Sequence, residues 1–159
     1  KFIKEVDWYD EINISDIKIK SLPAIHWSLR LGQKRNETLW CGYSINSNNK
    51  KIYFSGDIAY GEVFKDIAVK DGPYDLSIVP IGAYEPREMM KTSHVTPEEA
   101  VQVTKDIKSN SILGMHWGTI RLSSEDLWEP PERFYQAAIK LGYNKNQIWK
   151  MFIGETRSL

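Results

Sequence analysis

Cysteine is almost missing from this chain: Cys41 stands alone among 159 residues, which excludes an internal disulfide and fits a reducing compartment. Net charge is missing too, because 21 Lys and Arg balance 21 Asp and Glu. No long-range field would draw such a chain to nucleic acid or to an anionic membrane, so no nucleic-acid partner is expected and any such contact must be local. No apolar run nears the roughly 20 residues of a membrane-spanning helix. The N-terminal residues also lack the basic end and apolar core of a secretory signal. These absences point to a soluble, cytoplasmic chain, with peripheral membrane contact left open. Linkers, repeats and low-complexity segments are absent as well, so residues 1–159 read as one folded unit.

Aromatic residues, by contrast, are plentiful, with six tryptophans and eight tyrosines. Core packing accounts for most such residues, and an apolar groove is the alternative. Loose alternation predicts extended stretches over Glu5–Ile14 and Ile17–Trp27. Further strands are predicted over Thr38–Ile45 and Lys51–Ser55, joined by a tight Ser-Asn-Asn turn at 47–49. Beyond Asp57 the period changes. Val63, Phe64, Ile67 and Ala68 recur at helical spacing up to Gly72-Pro73. Asp75–Pro80 is a continuously apolar run suited to a strand buried on both faces. Thr96, Pro97 and Glu99 form a capping box with proline at the first helical position, ahead of Ala100, Val101, Thr104 and Ile107 on one face. Ser111–Met115 reads as a strand and Pro131–Leu141 as a helix with Phe134, Ala138 and Leu141 inward. Ile148–Ile153 reads as a last strand. Strands followed by alternating helix and strand define an α/β (α+β) unit, a mixed sheet with about three helices on one face. The other face, apolar and aromatic, is then left in need of a cover.

The only histidines, His26, His94 and His116, each fall at or just beyond a predicted strand end. Open α/β sheets gather ligands there. Asp57 joins them, since Gly56 precedes it and lets the backbone approach closely. Taken singly, each histidine is more ordinarily a hydrogen-bonded structural residue, and Asp57 a turn or cap. Trp27 and Trp117 directly follow two of the histidines, so on a strand they should point away from them into the core. Cys41 reads as a small buried hydrophobe. Tyr84, Glu85 and Arg87 follow the strand ending at Pro80 and are placed to line a site mouth, with a Glu85–Arg87 ion pair as the plainer reading.

Four strings stand in order along the chain: Ile52-Tyr-Phe-Ser-Gly-Asp-Ile-Ala-Tyr60, Pro80-Ile-Gly-Ala-Tyr-Glu-Pro-Arg87, His94-Val-Thr-Pro-Glu-Glu-Ala100 and Met115-His-Trp-Gly-Thr119. With Pro23–Trp27 and Gly154–Leu159 they resemble the metallo-β-lactamase-fold hydrolases of the N-acyl-phosphatidylethanolamine phospholipase D family and its bacterial relatives. The resemblance covers nearly the whole chain, and Pro80–Arg87 is its most specific part. It implies the C-terminal half of an αββα sandwich, in which His26 holds one zinc, Asp57 bridges two, and His116 holds the second. His94 is implied beside that site without necessarily binding metal, and Asp57, His116 and His94 are the implied catalytic groups. The implied reaction is hydrolysis of a phosphodiester, in the family a membrane phospholipid cleaved to phosphatidic acid and an N-acylethanolamine.

The departure lies in what such enzymes carry upstream, a His-x-His-x-Asp-His string that this chain lacks. Counting donors, His26 with Asp57 gives two for one metal and Asp57 with His116 gives two for the other, whereas a catalytic zinc normally takes three protein ligands. The expectation is a single partial domain over 1–159, a fragment or split-gene product, binding zinc weakly and inactive alone. Its alternative is a non-catalytic half-domain that works only by pairing with a complementary N-terminal half or as a homodimer.

Overall fold

The computed structural model describes residues 3–152 and 154–159. Seven strands form one sheet in chain order. They are β1 (Glu11–Ile14), β2 (Ile17–Leu22), β3 (Gly42–Ser47), β4 (Lys50–Phe54), β5 (Tyr74–Pro80), β6 (Ser109–Met115) and β7 (Ile148–Trp149). The first four are antiparallel neighbours, β1–β2 and β3–β4 joined by tight turns and β2–β3 by the long connection 23–41, and β4 to β7 run parallel. Parallel pairing needs crossovers, which α1 (Val63–Lys70), α3 (Pro97–Asp106) and α4 (Pro130–Lys140) supply.

Local chemistry explains most boundaries. The β3–β4 hairpin turns on Asn48 and Asn49, at φ 50° and 60°, the left-handed pair that a two-residue turn demands and asparagine tolerates. The Thr96 hydroxyl accepts from the Glu99 amide at 3.2 Å while the Glu99 carboxylate accepts from the Thr96 amide at 2.9 Å, completing the expected capping box. Helix α4 opens on Pro130 and stops before Gly142, which sits at φ 85°.

Four expectations are corrected. The first strand is confined to Glu11–Ile14, because a turn at Trp8–Tyr9 intervenes, closed by the Asp10 amide donating to the Asp7 carbonyl at 3.1 Å. β3 starts at Gly42 rather than Thr38, since Thr38 closes a loop whose carbonyl accepts from the Ser28 hydroxyl at 2.5 Å. Leu141 is 40% exposed, because α4 has already ended beneath it. The last strand stops at Trp149; the Phe152 amide turns to the Glu155 carboxylate at 2.9 Å, and position 153 lies outside the described residues. A fourth, one-turn helix, α2 (Arg87–Met90), follows Pro86.

The two sheet faces differ. Register places Lys20, Ser44, Tyr53, Ser77, Ile112 and Ile148 in one row, of which Tyr53 and Ile112 are fully buried. Helix α3 packs on β5 and β6 and is flanked by α1 and α4, covering that side. The opposite face carries Ile19, Ile45 and Ile52 in one row and Tyr43, Phe54, Ile78, Leu113 and Trp149 in the next. These eight remain partly exposed, and Tyr43 is 37% accessible, while Leu76 and Ser111, which continue the first row, are buried; among the described residues most of this apolar face is left open.

Candidate metal centre

Register also dictates where the polar residues gather. Leu22 pairs with Gly42, Tyr43 with Phe54, Phe54 with Ile78 and Pro80 with Met115, so the ends of β2, β4, β5 and β6 share one edge. His26, Asp57, His94 and His116 all lie in the connections leaving that edge. Backbone bonds tie the connections together: the Ala59 amide donates to the Ile25 carbonyl at 2.7 Å, fixing the His26 segment against the Asp57 turn. Gly56, at φ 64°, makes that turn. Gly82 lies so close to the His116 carbonyl that a Cβ there would sit 2.2 Å from its oxygen. His116 itself adopts φ 62°, a left-handed conformation that costs a non-glycine residue about 1–3 kcal/mol and tends to mark functional positions.

The side chains converge. Asp57 Oδ2 is 3.8 Å from His26 Nε2 and Asp57 Oδ1 is 3.6 Å from His116 Nε2, so each carboxylate oxygen faces a different imidazole. Both separations exceed a hydrogen bond. Two donors on one tetrahedral zinc, each about 2.1 Å from it, stand about 3.4 Å apart, close to these spacings. The His94 ring lies between the others, 5.6 Å from His26 edge-on and 5.7 Å from His116 in a stacked arrangement. Burial pushes both His26 and His94 below the ordinary histidine range, against the opposing pull of the Asp57 charge. Neutral rings are the form that ligates metal. The Nδ1 atoms of all three histidines are buried with no hydrogen-bond partner among the described residues, unlike those of satisfied core histidines.

The residues therefore fit zinc, and they fit it incompletely. Among the described residues no three His, Cys, Asp or Glu side chains close around a single point. Asp57 faces one imidazole with each oxygen, so a metal held by it with His26 or with His116 would need further donors.

The three residues expected at the mouth each make contacts of their own. Tyr84 is fully buried; its hydroxyl faces the Glu129 carboxylate at 3.2 Å, the Arg133 guanidinium covers its ring, and burial pushes its pKa up to about 12. Glu85 accepts from the Arg87 amide at 2.9 Å, a loop bond in place of the expected ion pair. Arg87 pairs instead with Glu99, at 2.6 and 2.8 Å, because α2 and α3 bring those side chains together across the loop. Trp117 packs against the core as expected, whereas Trp27 is 37% exposed and carries Arg35 over its ring. Cys41 is half-buried.

Glu125 escaped sequence reasoning. Its carboxylate accepts from the Ala83 amide at 2.7 Å, the Glu85 amide at 3.1 Å and the Ser123 hydroxyl at 2.6 Å, clamping the loop after His116 onto the loop after β5. Burial alone would raise its pKa; these bonds outweigh it and hold the carboxyl below its usual range. Nothing in a Ser-Ser-Glu-Asp string marks a partner some forty residues upstream.

A family model described as "Beta-lactamase superfamily domain" matches residues 2–117. The chain is 38% identical over 134 residues to N-acyl-phosphatidylethanolamine-hydrolyzing phospholipase D 1 of Caenorhabditis elegans, covering 81% of this chain and 38% of that one. It is 30% identical over 161 residues to the mitochondrial N-acyl-phosphatidylethanolamine-hydrolyzing phospholipase D of Saccharomyces cerevisiae, covering 97% of this chain and 34% of the relative. The chain thus spans little more than a third of the length of these relatives. Among solved structures, the metallo hydrolase Igni18 of the hyperthermophilic archaeon Ignicoccus hospitalis shares the fold with a TM-score of 0.71 at 20% identity, over 94% of this chain and 57% of the other. By the family match, the relatives and the architecture together, the chain belongs to the β-lactamase superfamily domain family and has a metallo-β-lactamase fold.

Proposed function

We propose that this chain supplies one half of a dinuclear zinc centre in a phosphodiester hydrolase of the N-acyl-phosphatidylethanolamine phospholipase D type. The observation that carries the reading is Asp57, whose two oxygens face His26 and His116 separately at 3.8 and 3.6 Å. A bridging carboxylate between two nitrogen donors is what a two-metal site asks of this side of its pocket. When bound, zinc supplies Lewis acidity toward a phosphoryl oxygen and a water of lowered pKa. His26 and His116 offer neutral nitrogens and Asp57 the shared charge. His94, neutral and seated between them, offers an imidazole nitrogen to the substrate's oxygens or its leaving group. Beside His116, Met115, Trp117, Trp128, Met151 and Phe152 line an apolar groove, suited to the hydrocarbon part of a phospholipid.

The named relatives support the phosphodiester and lipid assignments, and the donor count supports a requirement for further ligands. The test joins this chain to a half bearing a His-x-His-x-Asp-His string. Hydrolysis of bis(p-nitrophenyl) phosphate and of N-acyl-phosphatidylethanolamine vesicles is then followed with and without Asp57→Asn. A large loss of turnover in the variant, together with loss of zinc, is expected for a ligand shared by two metals. Unchanged turnover with two zincs still bound would sink the assignment.

A second reading is favoured by the uncovered sheet face of Tyr43, Phe54, Ile78 and Leu113. On this reading the chain is a non-catalytic half that persists by pairing through that face with a complementary chain or with itself.

A further inference from the structure

The Arg87 guanidinium spans two partners. Its Nη1 donates to the His94 carbonyl at 2.7 Å, and its Nη2 donates to both oxygens of Glu99 at 2.8 and 2.6 Å. Glu99 in turn accepts from the Thr96 amide at 2.9 Å as the capping residue of α3. From the other side, the His94 amide donates to the Met90 carbonyl at 2.8 Å. The backbone at residue 94 is therefore held at both its amide and its carbonyl, one bond coming from the end of α2 and the other from the side chain that begins it.

The His94 ring has no such anchor. Its Nδ1 is buried without a partner, and its neighbours are the rings of His26 and His116. Where that ring lies is consequently set by the backbone beneath it. Arg87 and Glu99 are 28% and 33% exposed at the side chain, so their pairing is partly shielded and the hydrogen bonds are charge-assisted. Lysine in place of Arg87 has one nitrogen where the guanidinium has two in use, and cannot reach the carbonyl and grip the carboxylate in the same planar fork.

We propose that Arg87 is a positioning residue: through the His94 carbonyl and Glu99 it holds the His94 imidazole between His26 and His116. Arg87 does not touch the reacting groups. The proposal rests on reading those histidines with Asp57 as one centre, and its test is read without metal or turnover so that the two can fail separately.

The whole chain is labelled with ¹⁵N-histidine, and the three imidazoles are followed by long-range ¹H–¹⁵N correlation, with His94 identified by His94→Gln. In Arg87→Ala the His94 signals shift or broaden while those of His26 and His116 keep their positions. Arg87→Lys gives a smaller displacement in the same signals and serves as the readable variant if the alanine chain does not fold. Thr96→Ala, which removes the cap and leaves the Arg87 bond to the carbonyl, lowers the melting temperature without moving His94. In the zinc-loaded joined protein, Arg87→Ala lowers kcat about 10- to 100-fold, the range for residues that orient a site from behind, with zinc content unchanged. His94 signals that stay in place in both Arg87 variants overturn the proposal, whatever the zinc content or activity. Signals of all three histidines moving together would assign Arg87 to general stability and overturn it equally.

Discussion

At Asp71 a nearly buried carboxylate accepts from Lys20 at 2.7 Å and from the Tyr74 hydroxyl at 2.8 Å, with the Lys51 ammonium 3.0 Å from its second oxygen. Burial by itself would raise the pKa, but these partners outweigh it and bring the group down to about 2 from an ordinary 3.8. A depressed carboxylate stabilises the fold above its unfolded pKa, and the contribution, about 2 kcal/mol, fades as pH falls from roughly 4 toward 2. Asp71→Asn should therefore lower the urea midpoint at pH 6 and have a progressively smaller effect near pH 2. Equal effects at both pH values would show that the loss is one of packing. Nothing marked Asp71 in the sequence, because its partners come from β2, β4 and β5. The places of His26, Asp57 and His116 were more legible. They sit beside strand ends that local pattern finds, and the family resemblance singled them out, whereas the contacts of Tyr84, Glu85 and Arg87 depended on Glu129, the loop backbone and Glu99, which only the fold brings near.

Helix α3 shows how an element can be readable end to end. Thr96, Pro97 and Glu99 declare its start, and Ala100, Val101, Thr104 and Ile107 are all fully buried on the face the spacing predicts. Thr96→Ala removes one half of the capping box and is expected to cost about 1 kcal/mol. In a double-mutant cycle with Glu99→Ala the two losses should fall short of adding, since each removes part of one reciprocal pair. Full additivity in thermal or urea unfolding would mean that the box contributes nothing as a unit. Elsewhere the element boundaries drifted where side chains took over from period. Thr38 and the Trp8–Tyr9 turn fall within stretches of strand-like composition, yet the Ser28 hydroxyl bonded to the Thr38 carbonyl and the Asp10 amide bonded to the Asp7 carbonyl close them as a loop and a turn.

For the molecule as a whole, the mixed sheet with helices on one side followed from the order of periodic segments, and so did the bare second face. Its rows of isoleucine and aromatic residues are expected to drive self-association of the isolated chain. Phe54→Ser with Ile78→Ser should raise the concentration at which the chain leaves the monomeric state in sedimentation, while leaving far-ultraviolet circular dichroism nearly unchanged. Association untouched by both substitutions would place the contact elsewhere. On the proposed function this chain offers two donors to each of two metals and no complete shell. Elemental analysis of zinc in the purified chain after exhaustive dialysis, with its mass in solution measured alongside, checks this. Less than one zinc per monomer is expected, rising to two when a half bearing the His-x-His-x-Asp-His string is joined to it. Two zincs held tightly by the chain as a monomer would contradict it.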